Sequence, residues 1–415
     1  MARDKNRSSH AHGMSTARTL LIVAVLCLVA IGLLMVYSTT SVVLAGAGKS
    51  PFSDVGNQAA FAVIGIVAAI VIWRVIPYGA WAGSFTWIVW GVGIVLLFLT
   101  WIAGTEVNGA KRWLYIGPLG MQPSELIKIA LLLMAIRIMN DMRQGNIEVR
   151  AAIVQALLLI LLPVVFLYLT QSDLGTTLIC VVGIFAVMWI GGISGKWLLG
   201  IGALLFIAAA YAIFGTGFRS GRLVYLDPWG DGQNGYGTGY NIIRSYYALS
   251  EGGLFGVGIG NSHEKFDYLF ASESDFIFAV IGEETGLVGA LVVVTLFLLV
   301  LYAGLKISEG APDELGAMIA GGFAIMLVFQ AFLNIGCTIG VFPTTGKPLP
   351  FISSGGTSIV ASLLMVGLIL SVERASEMPD SHERVRQEFR VHRGGAGGGA
   401  QWQDRGGRSD QWRRR

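Results

Sequence analysis

The sequence predicts an all-α polytopic membrane protein, on two observations: a shortage of charged residues and a series of long apolar runs. Of the 415 residues, 54% are hydrophobic and only 13% are charged, which is about half the charged fraction of a soluble domain. Once the ends 1–18 and 374–415 are set aside, 355 residues carry only 34 charges. This composition excludes a cytosolic enzyme, a disordered protein and a disulfide-framed secreted module.

Ten apolar runs are long enough to cross a bilayer as helices, since the ~30 Å hydrocarbon core takes about 20 helical residues. They are 19–44, 57–76, 81–103, 122–140, 151–170, 174–191, 196–214, 276–305, 317–340 and 356–372. We therefore expect one membrane domain, 19–373, of about ten transmembrane helices. The first run is too long for a cleaved signal peptide, which favours an uncleaved first span.

The distribution of charge predicts the orientation. The two ends together carry a net charge of +7, whereas the region between them carries −4. Lys and Arg are retained on the cytoplasmic side of the plasma membrane, so we expect both termini there: a basic N-terminal tail, 1–18, and a C-terminal tail, 374–415. The C-terminal tail is Gly/Arg-rich and lacks apolar periodicity, which predicts a disordered, solvated segment in preference to a partner-binding arm.

One long polar segment, 215–275, separates predicted spans seven and eight and is expected to face outwards. It holds eleven charges, a turn-rich stretch at 227–236 and a candidate short helix at 241–250. Loops of this length are usually functional or disordered, and the many aromatic residues argue against disorder. We therefore expect the chemistry of the protein at this extracytoplasmic loop.

Ionisable residues at the membrane boundary are costly unless paired or hydrated, so each is a candidate for function. Arg112 and Trp113 precede predicted span four, and Glu125 and Lys128 lie in its first turns, three residues apart and able to pair on one helix face. A structural ion pair and an anion-binding site are both open here. Asp173 precedes span six, where it either caps the helix or contributes to a site.

A third cluster precedes span ten. Lys347 lies in a proline-rich segment that runs into hydroxyl groups and glycines, among them Ser353, Gly355 and Gly356. Backbone amides at such a helix start attract phosphate or carboxylate, and Lys347 would add a full positive charge.

A fourth cluster enters span eight. Asp275 lies at its start, and Glu283 and Glu284 follow about 12 Å deeper. Asp275 fits a helix cap. It equally fits a general base, because a carboxylate at the mouth of a low-dielectric cavity has a raised pKa.

Several common signatures are missing from the sequence. It contains neither a Gly-rich P-loop nor an Asp-x-Asp pair for a metal–nucleotide sugar, and it gives no reason to expect nucleic acid as a partner. The three cysteines lie in apolar runs, and only His263 lies outside the tails, so no metal site built from cysteine or histidine ligands is predicted. A phosphorylated substrate would therefore be held by Arg, Lys or helix ends, and would most simply arrive as a lipid-linked pyrophosphate.

Five motifs in order resemble the SEDS family, the shape, elongation, division and sporulation proteins, from about span one to residue 373. The motifs are Asn108-Gly109-Ala110 with Arg112-Trp113, Gln122-Pro123-Ser124-Glu125, Gln171-x-Asp173-Leu174-Gly175-Thr176, Asp275-Phe276-Ile277-Phe278 with Gly282-Glu283-Glu284, and Pro343-Thr344-x-Gly346 with Pro350-Phe351-Ile352-Ser353-x-Gly355-Gly356. Val107-Asn108-Gly109-Ala110 and Gly258-Ile259-Gly260-Asn261-Ser262-x-x-Lys265 look more like the FtsW-type division branch, or its sporulation relative SpoVE, than the RodA elongation branch.

The resemblance implies a peptidoglycan glycosyltransferase that polymerises lipid II into β-1,4 glycan strands and releases undecaprenyl pyrophosphate. It also implies a class B penicillin-binding protein and other division proteins as partners. By resemblance, Asp275 matches the family's essential aspartate, which makes it the expected catalytic base. A divalent cation, Mg²⁺ or Mn²⁺, is left open.

Other residues of the candidate site come from the resemblance and from the clusters above. Glu125 and Lys128 match the family's paired acid and base, and Arg112 and Trp113 match its outer-loop pair. The expected substrate-binding residues are Arg112, Trp113, Glu125, Lys128, Lys347, Ser353, Gly355 and Gly356, with Asp173, Glu283 and Glu284 in support.

Some positions depart from the family pattern. Phe270 and Glu273 stand where Pro and His are usual, Arg244 replaces a usual Gln, Ser354 a usual Tyr, and Lys347 a common aliphatic residue. These departures leave open whether Glu273, a second acid, perturbs Asp275.

The alternatives are a lipid II flippase, an elongation-type polymerase and a scaffold for the division machinery. Transport requires polar residues along a path through both leaflets, whereas catalysis requires the outer charged clusters to meet at one depth. Polar residues are few in the predicted cytoplasmic half, which favours catalysis.

Overall fold

The computed structural model describes residues 2–107, 110–117, 119–214, 224–266 and 268–377. Its α-helices are α1 (Ala2–Gly46), α2 (Ser53–Val75), α3 (Ser84–Ala103), α4 (Ser124–Arg143), α5 (Val149–Ala156), α6 (Leu162–Gln171), α7 (Leu174–Ile190), α8 (Gly195–Phe214), α9 (Tyr240–Gly252), α10 (Ile277–Glu309), α11 (Glu314–Thr338) and α12 (Gly356–Glu377). A π-helical turn, Leu157–Leu161, joins α5 to α6. The strands are β1 (Thr105–Val107), β2 (Ala110–Ile116) and β3 (Leu119–Met121).

The protein is a mainly helical, multi-pass membrane protein. A helix covers each of the ten apolar runs, and seven segments have both the length and the apolar composition of a span: Ser15–Gly46, Ser53–Val75, Ser84–Ala103, Val149–Gln171, Ile277–Glu309, Glu314–Thr338 and Gly356–Ser376. Within the described residues, the helices over the other three runs do not meet both criteria. The number of ten spans therefore stays a prediction.

The helices divide into a buried centre and an apolar rim. α11 packs against α10 and α7, and its Ile319 and Phe323 are fully buried. On α2, by contrast, Val63, Ile64 and Val67 are each more than half exposed. Such a continuous apolar surface is unfavourable in water and is accounted for by contact with lipid.

The predicted tail boundaries differ from the structure. α1 already begins at Ala2, so the segment predicted as an N-terminal tail continues into the first span as one helix. α12 runs on to Glu377, which places the start of the predicted C-terminal tail inside its last turn. The remainder of that tail, 378–415, and the segment 215–223 of the long loop lie outside the described residues.

A small antiparallel sheet follows α3, and the all-α prediction missed it. The strands lie in the order β1-β2-β3, with Thr105 opposite Trp113 and Leu114 opposite Met121. Arg112 and Trp113 therefore lie on the central strand, β2, and β3 connects that strand to α4. Asn108-Gly109 of the family motif lies outside the described residues.

Helix α10 is broken at Gly286, whose φ of 68° and ψ of −170° are non-helical. The break frees the carbonyls of Glu283 and Glu284, which accept hydrogen bonds of 3.0 Å from the N–H groups of Val257 and Gly258. The loop after α9 thus bonds directly to the outer part of α10 and fixes the segment that carries Asp275. α9 itself confirms the predicted short helix.

Candidate active site

Asp275 lies two residues before α10, on a wall shared by two cavities. The larger cavity has a volume of about 600 Å³ and the smaller about 230 Å³. Arg112 and Gly346 line both cavities as well. Phe276, not Asp275, takes the cap position of α10, so the helix-cap alternative for Asp275 is not realised.

The backbone around Asp275 is fixed by buried polar side chains. Asn334, on α11, donates hydrogen bonds of 2.8 Å from Nδ2 to the carbonyls of both Asp275 and Lys347. The Ser353 hydroxyl donates to the Ser274 carbonyl at 2.5 Å and accepts from the Leu349 N–H at 2.8 Å. These bonds hold the segments before α10 and α12 together.

Gly346 lies beside both Asp275 and Arg112. Its φ of +64° belongs to the left-handed region, which glycine adopts without steric cost. A Cβ on Gly346 would lie 3.6 Å from Asp275 Oδ2 and 3.9 Å from Arg112 Nη1. A larger residue here would crowd the space between the carboxylate and the guanidinium.

The environment of Asp275 raises its pKa from the ordinary value of 3.8 to about 6. Burial is the largest cause, because it disfavours the charged form. The nearby cations Lys347 and Arg112 lower the pKa, and the Glu273 carboxylate raises it. The predicted second acid therefore does perturb Asp275, whose carboxyl is still largely ionised at neutral pH.

The Arg112 side chain is held by two hydrogen bonds to backbone carbonyls. Its Nε donates to the Gln171 carbonyl at 3.0 Å and its Nη2 to the Ser172 carbonyl at 3.3 Å. Both acceptors lie at the C-terminal end of α6, where Ser172 adopts a left-handed φ of 50°. The guanidinium is thereby held in one orientation at the cavity wall.

The predicted pairing of Glu125 with Lys128 is confirmed. Lys128 Nζ lies 2.6 Å from Glu125 Oε2 and also donates to Gln330 Oε1 at 2.5 Å. Lys347 Nζ lies 2.6 Å from Asp173 Oδ2 and 3.9 Å from Glu125 Oε1. All four charged side chains are buried, and none lines either cavity.

Asp173 takes the helix-cap role that the sequence left open, and it also forms a buried ion pair. It caps α7 by accepting from the Thr176 N–H at 2.9 Å, and its other oxygen pairs with Lys347. Gly175 makes that approach possible, because a Cβ there would overlap the Lys347 side chain.

The expectation that the amides before α12 bind an anion needs correction. The N–H of Ser353 donates to Leu349, that of Ser354 to the Glu273 carbonyl at 2.8 Å, and that of Gly355 to Gln58 Oε1 at 3.2 Å. These three amides are therefore hydrogen-bonded within the protein and are not free to bind an anion. Of the predicted residues here, Gly355 lines the smaller cavity, and Gly356 starts α12.

Glu283 and Glu284 belong to a separate buried cluster. Glu283 accepts from the Ser262 hydroxyl at 2.6 Å and from the His263 N–H. Glu284 lies 2.8 Å from Lys265 Nζ and accepts from the Ser38 hydroxyl of α1 at 2.6 Å. Neither glutamate lines the cavities beside Asp275, so their support is structural: they join α1, the loop and α10.

The residues around the two cavities do not fit a protein-held divalent cation. Asp275 is the one carboxylate among the described residues that line them, whereas divalent cations in proteins take several oxygen ligands. Within the described part of the chain, the one group of metal-type ligands is Glu251, His263 and Glu283, with ligand atoms within 4.8 Å of one another. It borders neither cavity, so no step of the reaction is assigned to a metal here.

Sequence reasoning missed two groups of site residues. The amides Gln58, Gln330 and Asn334 hold the loops at the site, and their signal was a polar residue inside an otherwise apolar helix. The aromatic residues Tyr236 and Tyr240 line the larger cavity; a long loop rich in tyrosine gives only a general indication of this.

Comparisons with known proteins agree with the motifs. The family model for cell cycle proteins of the FtsW, RodA and SpoVE type matches residues 18–378. Stage V sporulation protein E of Bacillus subtilis (strain 168) is 34% identical over 372 residues, covering 88% of this chain and 100% of the relative. A probable peptidoglycan glycosyltransferase FtsW of Geobacter sp. (strain M18) is 34% identical over 344 residues, covering 82% of this chain and 92% of the relative.

Two solved structures share the fold. A chain of a peptidoglycan synthase complex superposes with a TM-score of 0.66 at 29% identity, covering 86% of this chain and 98% of that one. The rod shape determining protein RodA of Thermus thermophilus gives a TM-score of 0.61 at 28% identity, covering 86% and 97%. With the matched family model, these similarities establish that the chain belongs to the SEDS family of FtsW, RodA and SpoVE proteins.

Proposed function

We propose that this protein is a peptidoglycan glycosyltransferase that polymerises lipid II into β-1,4 glycan strands. One observation carries the proposal: Asp275 and Arg112 line both cavities. A carboxylate and a cation thus face two adjoining spaces, as transfer between two lipid-linked sugars requires.

The reaction follows from this placement. The Asp275 carboxylate accepts the proton of the 4-hydroxyl of the acceptor GlcNAc while that oxygen attacks C1 of the donor MurNAc. The bond from C1 to the pyrophosphate oxygen breaks on the opposite face, so an α-linked sugar becomes β-linked. Undecaprenyl pyrophosphate leaves with the bonding electrons, and Asp275 then releases its proton to solvent.

The departing pyrophosphate requires positive charge more than it requires an acid. Arg112 supplies a fixed guanidinium at the cavity wall, which suits bidentate contact with phosphate. In the smaller cavity, Trp113 offers a ring for the sugar or the prenyl chain. Ser358, at the start of α12, is buried there with a hydroxyl that has no partner within the described residues. We assign the pyrophosphate to this smaller cavity.

The convergence of the charged groups favours polymerisation over a flippase. α4, α7, α10 and α12 all begin at this site, and Lys347 contacts both Ser124 at the start of α4 and Asp173 at the start of α7. The polar groups therefore meet at one depth. The positive ends of four helix dipoles point towards the same region.

We further propose the cellular setting. Both termini lie in the cytoplasm, in keeping with the +7 charge of the two ends, and the two cavities open on the extracytoplasmic side. The partners are lipid II, a class B penicillin-binding protein that cross-links the strands, and other division proteins. Support comes from the relatives named FtsW and from the similarity to a chain of a peptidoglycan synthase complex.

The direct test is polymerisation of lipid II by purified protein, with and without a class B partner, followed by sizing of the glycan. We expect Asp275→Asn to abolish polymer while the protein stays folded and bound to its partner. Glu148→Gln, which neutralises an exposed carboxylate outside both cavities, should polymerise normally. Normal polymer from the Asp275→Asn protein would refute the base assignment, and lipid II translocation without polymer would support the flippase.

A further inference from the structure

We propose that Tyr236, Tyr240 and Phe270 form a carbohydrate-binding platform for the glycan strand, holding sugar units beyond the two that react. This inference rests on the proposed function and specifies which part of the substrate the larger cavity binds. The three residues are called the aromatic platform below.

The three rings follow one another along the wall of the larger cavity. The ring centroids of Tyr236 and Tyr240 lie 6.4 Å apart, with an angle of 34° between the ring planes. Those of Tyr240 and Phe270 lie 5.6 Å apart, with an angle of 44°. The spacing is of the size of a sugar ring, so neighbouring units of an extended chain can each meet one aromatic ring.

The exposure of the platform indicates a ligand. Tyr236 is 77% exposed and Phe270 is 62% exposed, although both border a cavity that also contains the polar Asp275. Aromatic faces left in water are unfavourable and gain free energy when an apolar surface covers them. Pyranose rings present apolar C–H faces with hydroxyl groups around the edge, which suits a wall of rings in a partly polar cavity.

The platform is rigidly mounted. The Asn241 side chain donates to the Phe270 carbonyl and accepts from the Phe270 N–H, both at 3.3 Å, which ties the Phe270 segment to α9. Arg244, one turn further along α9, places its guanidinium carbon 5.1 Å from the centroid of the Tyr240 ring and pairs with Glu264 at 3.4 Å. Rings that are already fixed in position before a ligand arrives lose little conformational entropy when it binds.

A single carboxylate organises the segment that carries Tyr236. Asp231 accepts hydrogen bonds of 2.8–3.2 Å from four backbone N–H groups, those of Gln233, Gly235, Gly237 and Gly239. The segment therefore folds around Asp231 and leads directly into α9. This arrangement accounts for the turn-rich 227–236 stretch, which has no part in the proton transfer.

The platform is continuous with the reacting centre. Asp275 and Arg112 line the same cavity as the three rings, while the pyrophosphate is assigned to the smaller cavity on the other side of Asp275. A strand that lies on the platform therefore leads its reacting sugar to the carboxylate. Contacts of this kind keep a polymer bound between successive additions, so the platform should determine how long the products become.

Product length and soluble-glycan binding test the inference. In lipid II polymerisation by the full-length protein, Tyr236→Ala and Phe270→Ala should shorten the mean glycan length about fivefold, and should lower the initial rate by less than that. In saturation-transfer NMR with a β-1,4-linked N-acetylglucosamine tetramer, the same variants should bind roughly tenfold more weakly, which corresponds to about 1.4 kcal/mol.

Matched variants separate ring stacking from a merely structural role. Tyr236→Trp and Phe270→Tyr keep an aromatic ring and should restore both length and binding. Phe255→Ala removes an aromatic ring that is 81% exposed and lines neither cavity, and should change neither. Wild-type lengths and tetramer affinity in the Tyr236→Ala and Phe270→Ala proteins would overturn the platform. Absence of polymer from the unmodified protein would instead contradict the proposed function.

Discussion

The ammonium group of Lys347 lies 2.6 Å from the carboxylate of Asp173, and each side chain is only 1% exposed. The two residues are 174 positions apart in the chain, and their contact joins the segment before α12 to the start of α7. Lys347, which the resemblance marked as a departure from the family pattern, is thus the buried counter-charge of Asp173.

Loss of this pair should destabilise the fold. Lys347→Leu leaves Asp173 buried without its cation, and breaking a buried pair in this way costs about 3–5 kcal/mol. Denaturant unfolding in detergent should show that loss in the free energy of unfolding. Lys306→Leu is the matched control, because Lys306 pairs with Glu309 at 2.7 Å on the surface, where such pairs contribute about 0–1 kcal/mol. Equal effects of the two substitutions would contradict the buried role of Lys347.

The rate of polymerisation should depend on the ionisation of Asp275. Because only the carboxylate can accept a proton, and its pKa in the substrate-free protein is raised to about 6, kcat/KM should rise with pH through that value and level off above it. Glu273→Gln removes a negative charge that raises this pKa, so the acid limb should move to lower pH. Initial rates between pH 5 and 8 measure the shift. An acid limb that stays in place, or moves upwards, would exclude coupling between the two carboxylates.

Arg112 should contribute mainly to the departure of the pyrophosphate. Arg112→Gln removes the cation shared by the two cavities, and we expect kcat to fall by about 10²-fold or more, in the range found for lost electrostatic stabilisation. Arg112→Lys keeps the charge but lacks the planar guanidinium that donates to the carbonyls of Gln171 and Ser172. An intermediate rate is therefore expected. Single-turnover rates with lipid II provide the measurement. Arg112→Gln protein with an unchanged kcat would show that another group stabilises the leaving group.

Activity should depend on glycine at position 346, beside Asp275 and Arg112. Gly346→Ala forces a Cβ into the left-handed region, at a cost of about 1–2 kcal/mol, and places it near both functional groups. Gly145→Ala has the same backbone cost, because its φ is +74°, but meets no atom within 4 Å. We expect similar losses in unfolding free energy for the two variants and a loss of activity for Gly346→Ala alone. Full activity of Gly346→Ala would show that the carboxylate and the guanidinium need no such space.

Local spacing predicted some site features correctly. Glu125 and Lys128 were expected to pair because residues three apart share a helix face, and they do. The cap at Asp173 is likewise local, since it depends on a side chain next to the first backbone N–H groups of a helix. Such features can be predicted from residues that are close together in the chain.

Other features could not be predicted from neighbouring residues. The Asn108-Gly109 dipeptide favours a hairpin, yet the short strands around it were not predicted, because the surrounding apolar runs indicated helices. The amides before α12 looked free for an anion until packing placed Gln58 and the Glu273 carbonyl beside them. The aromatic platform brings residues of two separate segments together.

The sequence by itself determined the membrane fold and the chemical types at the site. Burial of apolar runs in lipid needs no particular partner, so composition and run length suffice for that prediction. The tertiary structure decided which charges are neutralised beneath the site and which face the cavities. That choice depends on Coulomb interactions and hydrogen bonds between segments far apart in the chain, whose strength changes steeply with distance and burial.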